Sequence, residues 1–125
     1  MKILLVCGQA RLVSAIKKFL KSKEDYGFHY SLDCQKAWEV ISEEKVDLLI
    51  IDLKMFNGEG VEFLKRASEI QPETKIIGIS SSGFHRKYYL ENGCNGFLRS
   101  KFNFDDFKQE LERIFPGRFN FEEEV

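Results

Sequence analysis

The chain has 125 residues, enough for one domain with its own hydrophobic core, and 43% hydrophobic with 31% charged content excludes a disordered polypeptide. Nineteen basic and twenty acidic residues, with no lysine/arginine block, leave a formal charge of -1 and exclude the charge footprint of a direct nucleic-acid binder. The apolar runs are too short to span a bilayer, and the widely spaced Cys7, Cys34 and Cys94 form no CxxC pair, so buried free thiols in a reducing cytoplasm, away from any membrane, are expected.

Lys2 to Cys7 is a short apolar run ended by Gly8. Ala10 to Lys21 then places Leu12, Ala15, Ile16, Phe19 and Leu20 on one helix face, with Arg11, Lys17, Lys18 and Lys21 off it. After a break over Lys23 to Gly27, Phe28, Tyr30 and Leu32 alternate with His29 and Ser31, which predicts a half-buried strand. Gln35 to Glu44 reads as a helix through Ala37, Trp38, Val40 and Ile41. Asp47 to Asp52 is almost continuously apolar, as a central strand covered on both faces should be.

Past the turn-rich Asn57-Gly58-Glu59-Gly60, a third helix is marked by Val61, Leu64, Ala67 and Ile70, and Lys75 to Ile79 makes a fourth strand. Phe84 to Glu91 is a short helix closed by Asn92-Gly93, and Gly96 to Leu98 is a brief fifth strand. Phe104, Phe107, Leu111, Ile114 and Phe115 form the face of a last helix, stopped by Pro116-Gly117. One domain over residues 1–116 is expected, with 117–125 a frayed tail on which Phe119 and Phe121 could dock.

Strict alternation of strands and helices predicts an α/β fold: a five-stranded parallel sheet with helices on both faces, since right-handed crossovers put them there. Ligands of such sheets bind beyond the carboxyl ends of the strands. That directs attention to Cys7-Gly8-Gln9, Asp52-Leu53-Lys54, Ser80-Ser81-Ser82 and Leu98-Arg99-Ser100-Lys101. On position alone, Asp52 is equally open as a functional carboxylate and as a helix-capping or loop aspartate.

The stretch DLLIIDLKMFNGEGVEFLKRA resembles the phosphoacceptor segment of response-regulator receivers, the CheY-like family, and aligns with it without gaps. KILLVCGQ is similar to that family's first strand, IIGIS to its fourth, and NGCNGFLRSKF to its fifth with flanks. The resemblance implies a flavodoxin-like sheet of order 2-1-3-4-5 and a role in two-component signalling. It puts Asp52 in the phosphoacceptor place, Ser80 in that of the hydroxyl that binds the phosphoryl group, and Phe97 in that of the aromatic switch. Met55 and Gly60 fit the pattern, whereas Phe56 replaces the usual proline.

Three departures follow from the same alignment. Cys7 and Gly8 stand where the family keeps the acidic pair that holds Mg²⁺, and a thiol is too soft to replace a carboxylate there. Ser100 stands where the family keeps its phosphate-pairing lysine, and Lys101, one step on, turns to the other face. No cofactor is expected, and Mg²⁺ binding is expected to be weak or absent. Two lysines remain as substitute cations, Lys101 and Lys54, although a solvated Lys54 is the simpler reading.

Elsewhere the signals are bland. His29 and His85 stand alone, Ser80-Ser81-Ser82-Gly83 lacks the spacing of a phosphate loop, and Glu122-Glu123-Glu124 reads as a solubilising terminus. Phe84, Tyr88, Tyr89, Phe97, Phe102 and Phe104 concentrate around the fourth helix, fifth strand and fifth helix. A short helix cannot bury Phe84, Tyr88 and Tyr89 together, so at least one exposed aromatic is expected on this face. In the family it meets a histidine kinase, an output domain or a second copy.

The leading expectation is a non-enzymatic receiver that binds proteins without Mg²⁺-dependent phosphorylation. The alternatives are a working phosphoacceptor in a histidine-kinase relay and a flavodoxin-like domain that binds a phosphorylated small molecule.

Overall fold

The computed structural model describes residues 1–20, 27–31, 33–56, 60–81 and 86–119. Five strands, β1 (Lys2–Val6), β2 (Gly27–Ser31), β3 (Leu48–Asp52), β4 (Lys75–Ser80) and β5 (Gly96–Arg99), pair in parallel in the order β2-β1-β3-β4-β5. Five α-helices alternate with them: α1 (Ala10–Phe19), α2 (Cys34–Glu43), α3 (Gly60–Ile70), α4 (Arg86–Glu91) and α5 (Phe104–Ile114). A 3₁₀ turn, Leu53–Phe56, follows β3. The expected fold and strand order are those observed.

The two faces of the sheet part the apolar residues by simple alternation. Ile3, Leu5, Leu48, Ile50, Ile77 and Ile79 face α1 and α5. Leu4, Val6, Leu49, Ile51 and Ile76 face α2 and α3. All five residues of β3 are buried, as its unbroken apolar run required. Asp33 starts α2 by accepting the Gln35 and Lys36 N–H groups, and Asn103 and Asp106 close a capping box on α5. The Gln71 side chain ties α2 to the strand layer: its Nε2 donates to the carbonyls of Ile41 and Glu44, and its Oε1 accepts from the Val46 N–H.

Two expectations from periodicity are corrected. Tyr30 is 53% exposed and His29 is exposed too, while Ser31 is buried. β2 is an edge strand, where the Lys17 ammonium lies over the Tyr30 ring at 5.4 Å, and Ser31 is satisfied by bonds with the Asp33 backbone. Ile70, placed on the core face of α3, is 49% exposed at the last residue of that helix. Phe119, beyond residue 116, is buried and packs edge-on against Phe115 at 5.8 Å.

Gly78 sits in the middle of β4 because no side chain fits there. A Cβ at that position would lie 2.9 Å from both Cys94 Sγ and Leu53 Cδ1. Burial pushes the Cys94 thiol up to about 12, so it packs there as a small apolar group. Gly78→Ala is expected to cost about 1–3 kcal/mol through overpacking, read as a lower urea midpoint at unchanged slope.

Candidate functional site at the carboxyl edge of the sheet

Asp52 ends β3, and the tight 3₁₀ turn follows it directly. Its side chain is drawn under that turn and is only 4% exposed. Oδ1 accepts the Lys54 backbone N–H at 3.1 Å, and Oδ2 lies 3.8 Å from Cys7 Sγ. The contact follows from the register, which pairs Val6 with Ile51 and so brings the next residues, Cys7 and Asp52, side by side.

Cys7 is fully buried, and its backbone N–H donates to the Ser31 carbonyl at 3.0 Å. Burial raises the thiol above its ordinary range, the backbone contact with Gln9 works against that, and the neighbouring Asp52 carboxylate raises it further. The thiol therefore stays protonated and neutral at physiological pH and acts as a weak donor towards Oδ2. Gly8 is exposed and brings no side chain. Next to the Asp52 carboxylate the first loop offers a neutral thiol, a donor set that does not fit Mg²⁺, which takes hard oxygen ligands in octahedral array. Among the described residues no group of three or more His, Cys, Asp or Glu side chains stands close enough to hold a metal ion.

Ser80 ends β4 and is buried, and its carbonyl accepts the Ser100 N–H at 3.0 Å, which fixes the start of the loop after β5. The substitute cations are not at the carboxylate. Lys54 meets Asp52 through its backbone while its side chain is exposed, and among the described residues neither Lys54 nor Lys101 forms an ion pair. Lys101 instead lines a groove between α4 and α5. Met55 and Phe56 lie in the 3₁₀ turn, where their side chains fall outside the described residues.

That groove, of about 1060 Å³, is the second feature of this edge. Phe97 and Phe102 line it together with Arg86, Arg99 and Lys101. Tyr88 is 50% exposed beside it, as expected of one aromatic on so short a helix. Phe97 is buried and stacks on the half-buried Tyr89, centroids 6.3 Å apart. Phe102 is divided between two roles, since it also stacks on Phe107 at 6.0 Å and belongs to the margin of the α1–α5 core. Phe84 lies outside the described residues. Periodicity did not pick out Arg99 and Glu110. Arg99 was marked only by its place at the end of the edge strand β5, where it is exposed, and no sequence signal singled out Glu110, which reaches from α5 to accept the Phe97 N–H at 3.1 Å.

The description "Response regulator receiver domain" belongs to the family model that matches residues 3–112. A Fimbriae Z protein of Salmonella typhimurium is 30% identical over 87 residues, covering 68% of this chain and 41% of that protein. The chain thus spans about two fifths of the length of that relative. The sporulation initiation phosphotransferase F of Bacillus subtilis is 23% identical over 121 residues, covering 95% of this chain and 97% of that one. A solved CheY-like receiver from Methanospirillum hungatei superposes with a TM-score of 0.78 at 22% identity, covering 90% and 91% of the two chains. With the strand order, the aspartate at the end of β3 and a family match over nearly its full length in agreement, this chain belongs to the response-regulator receiver domains, the protein-binding signalling modules of two-component systems.

Proposed function

We propose that this receiver is atypical: a protein-interaction module that works without Mg²⁺-dependent phosphorylation of Asp52. The observation that carries this reading is the neutral Cys7 thiol 3.8 Å from Asp52, in the place of a metal-binding carboxylate. Phosphoryl transfer depends on cations that neutralise developing charge, and loss of one such group costs on the order of 10²–10³ in rate. Here the metal carboxylates and the lysine are absent together, with Ser100 in the lysine's place.

The partner is a protein, a kinase, an output domain or a second copy, and its docking face is α4–β5–α5. Exposed Tyr88 and the cationic groove support that placement. Buried thiols suit the reducing cytoplasm. The second reading, a phosphoacceptor in a histidine-kinase relay, is supported by the retained Asp52 and by Ser80 at the neighbouring strand end.

Beryllofluoride with Mg²⁺, which forms an acyl-phosphate mimic on a competent receiver aspartate, separates the two. Amide resonances of Asp52, Lys54 and Ser80 are expected to stay where they are. A saturable, Mg²⁺-dependent shift of these resonances would replace this reading with the second.

A further inference from the structure

The cationic groove lies where parallel sheets take their ligands, beyond the carboxyl ends of the strands. Ser81 follows β4 into it, and Arg99, Ser100 and Lys101 lead into it from β5. Its volume of about 1060 Å³ is of the size of small-molecule clefts, which run to roughly 1,000 Å³. Asp52 is not among the described residues that line it, so a ligand there leaves the phosphoacceptor position untouched.

The charges on its walls do not balance. Arg86, Arg99 and Lys101 are exposed, and among the described residues none of them forms an ion pair. Glu110 is balanced by the Arg113 guanidinium at 2.9 Å. Asp106, whose carboxylate closes the capping box with Asn103, is then the one acid to set against the three cations among the described lining residues. A surplus of two positive charges is left.

A phosphate monoester matches that surplus, with a charge of about −1.5 to −2 and three acceptor oxygens near pH 7. A single carboxylate brings half as much. Guanidinium forks also fit phosphate oxygens in pairs. The remaining wall is apolar: Phe97 and Leu98 are buried beneath it and Phe102 is half-buried at its margin. An aromatic wall beside cations suits a flat ring attached to the phosphate, since every nucleobase has a face that can stack.

We propose that the groove binds a nucleoside monophosphate. The inference goes beyond the reading of Asp52 and does not depend on it. Occupancy would cancel the positive charge on the α4–β5–α5 face, giving a receiver without metal-dependent phosphorylation a small molecule to respond to.

Titration of the full chain with adenosine monophosphate in metal-free buffer, followed by amide resonances, tests this. Saturable shifts are expected at Ser81, Arg99, Ser100 and Lys101, half complete below about 1 mM, with the Lys54 amide beside Asp52 unmoved. Arg99→Glu/Lys101→Glu is expected to weaken binding at least about tenfold. Lys36→Glu/Lys65→Glu, the same charge change at exposed positions of α2 and α3, is expected to leave it unchanged. Phe102→Leu, which keeps apolar packing but removes the ring, is expected to weaken it severalfold. Adenosine, inorganic phosphate and O-phosphoserine, each carrying only part of the ligand, are expected to bind at least about tenfold more weakly.

Inorganic phosphate or O-phosphoserine that binds as tightly as adenosine monophosphate overturns the proposal, because the ring then has no place in the groove. Equal losses from the two charge-reversed variants overturn it as well, since the attraction is then spread over the whole surface. So do shifts centred on Lys54, or none that saturate up to about 10 mM. None of these outcomes bears on phosphorylation of Asp52, which the beryllofluoride experiment decides separately.

Discussion

Cys7→Asp, Gly8→Asp and Ser100→Lys, made together, are expected to give the chain Mg²⁺-dependent phosphorylation on Asp52 from acetyl phosphate. The rate should exceed that of the unaltered chain by at least about 10²–10³. The backbone frame for such a site already exists. β1 and β3 hold residues 7 and 52 side by side, and the Sγ to Oδ2 separation of 3.8 Å shows that a longer carboxylate at position 7 would share a cation with Asp52. Gly8 is exposed and does not occupy the left-handed backbone region, so its backbone conformation does not require glycine. A lysine at position 100 would start beside Ser80, whose carbonyl already holds the residue-100 N–H at 3.0 Å.

A second readout makes the result harder to misread. Three carboxylates without a cation repel one another, so the variant should melt below the unaltered chain in the absence of metal. Mg²⁺ should raise its melting temperature by mass action and leave that of the unaltered chain unmoved. A folded variant with neither the stabilisation nor the adduct would mean that the missing ligands are not what silences this site.

Phe107→Ala is expected to lower the unfolding free energy by about 3–5 kcal/mol, a large fraction of what a domain of this size possesses. Phe107 has no exposed surface, and its ring lies 5.6 Å from that of Phe19 and 6.0 Å from that of Phe102, joining α1 and the β5–α5 loop across α5. The site cannot collapse around the missing ring, because the strands beneath it are pinned by pairing on both sides. Urea unfolding should show a lower midpoint with the slope retained. Phe104→Ala, at a half-buried position on the same helix, is expected to cost clearly less.

The two halves of the structure differ in how far they can be read from residues alone. Continuous apolar runs such as Leu48 to Ile51 identify a doubly covered strand, and the core stripe of α5 runs through Phe107 and Leu111 as its spacing indicates. Where an element meets the edge of the fold, the same reasoning weakens. Tyr30 and Ile70 keep the period of a buried face but stand where nothing covers them.

At the site, residue types and strand ends single out Asp52, Ser80, Cys7 and Gly8. Register and burial make Cys7 a neutral neighbour of Asp52, and local spacing does not reveal that. The cationic groove was hidden for a related reason. Arg86, Arg99 and Lys101 are scattered along the chain, and the β4–β5 edge and α5 gather them into one place.

The central claim is that Asp52 lies in a site that does not carry out Mg²⁺-dependent phosphorylation. Its most direct test is the intact mass of the chain after incubation with acetyl phosphate, with and without Mg²⁺, compared with Asp52→Asn. The account predicts no Mg²⁺-dependent phosphoryl adduct on either protein. A Mg²⁺-dependent adduct on the unaltered chain that disappears in Asp52→Asn would contradict it.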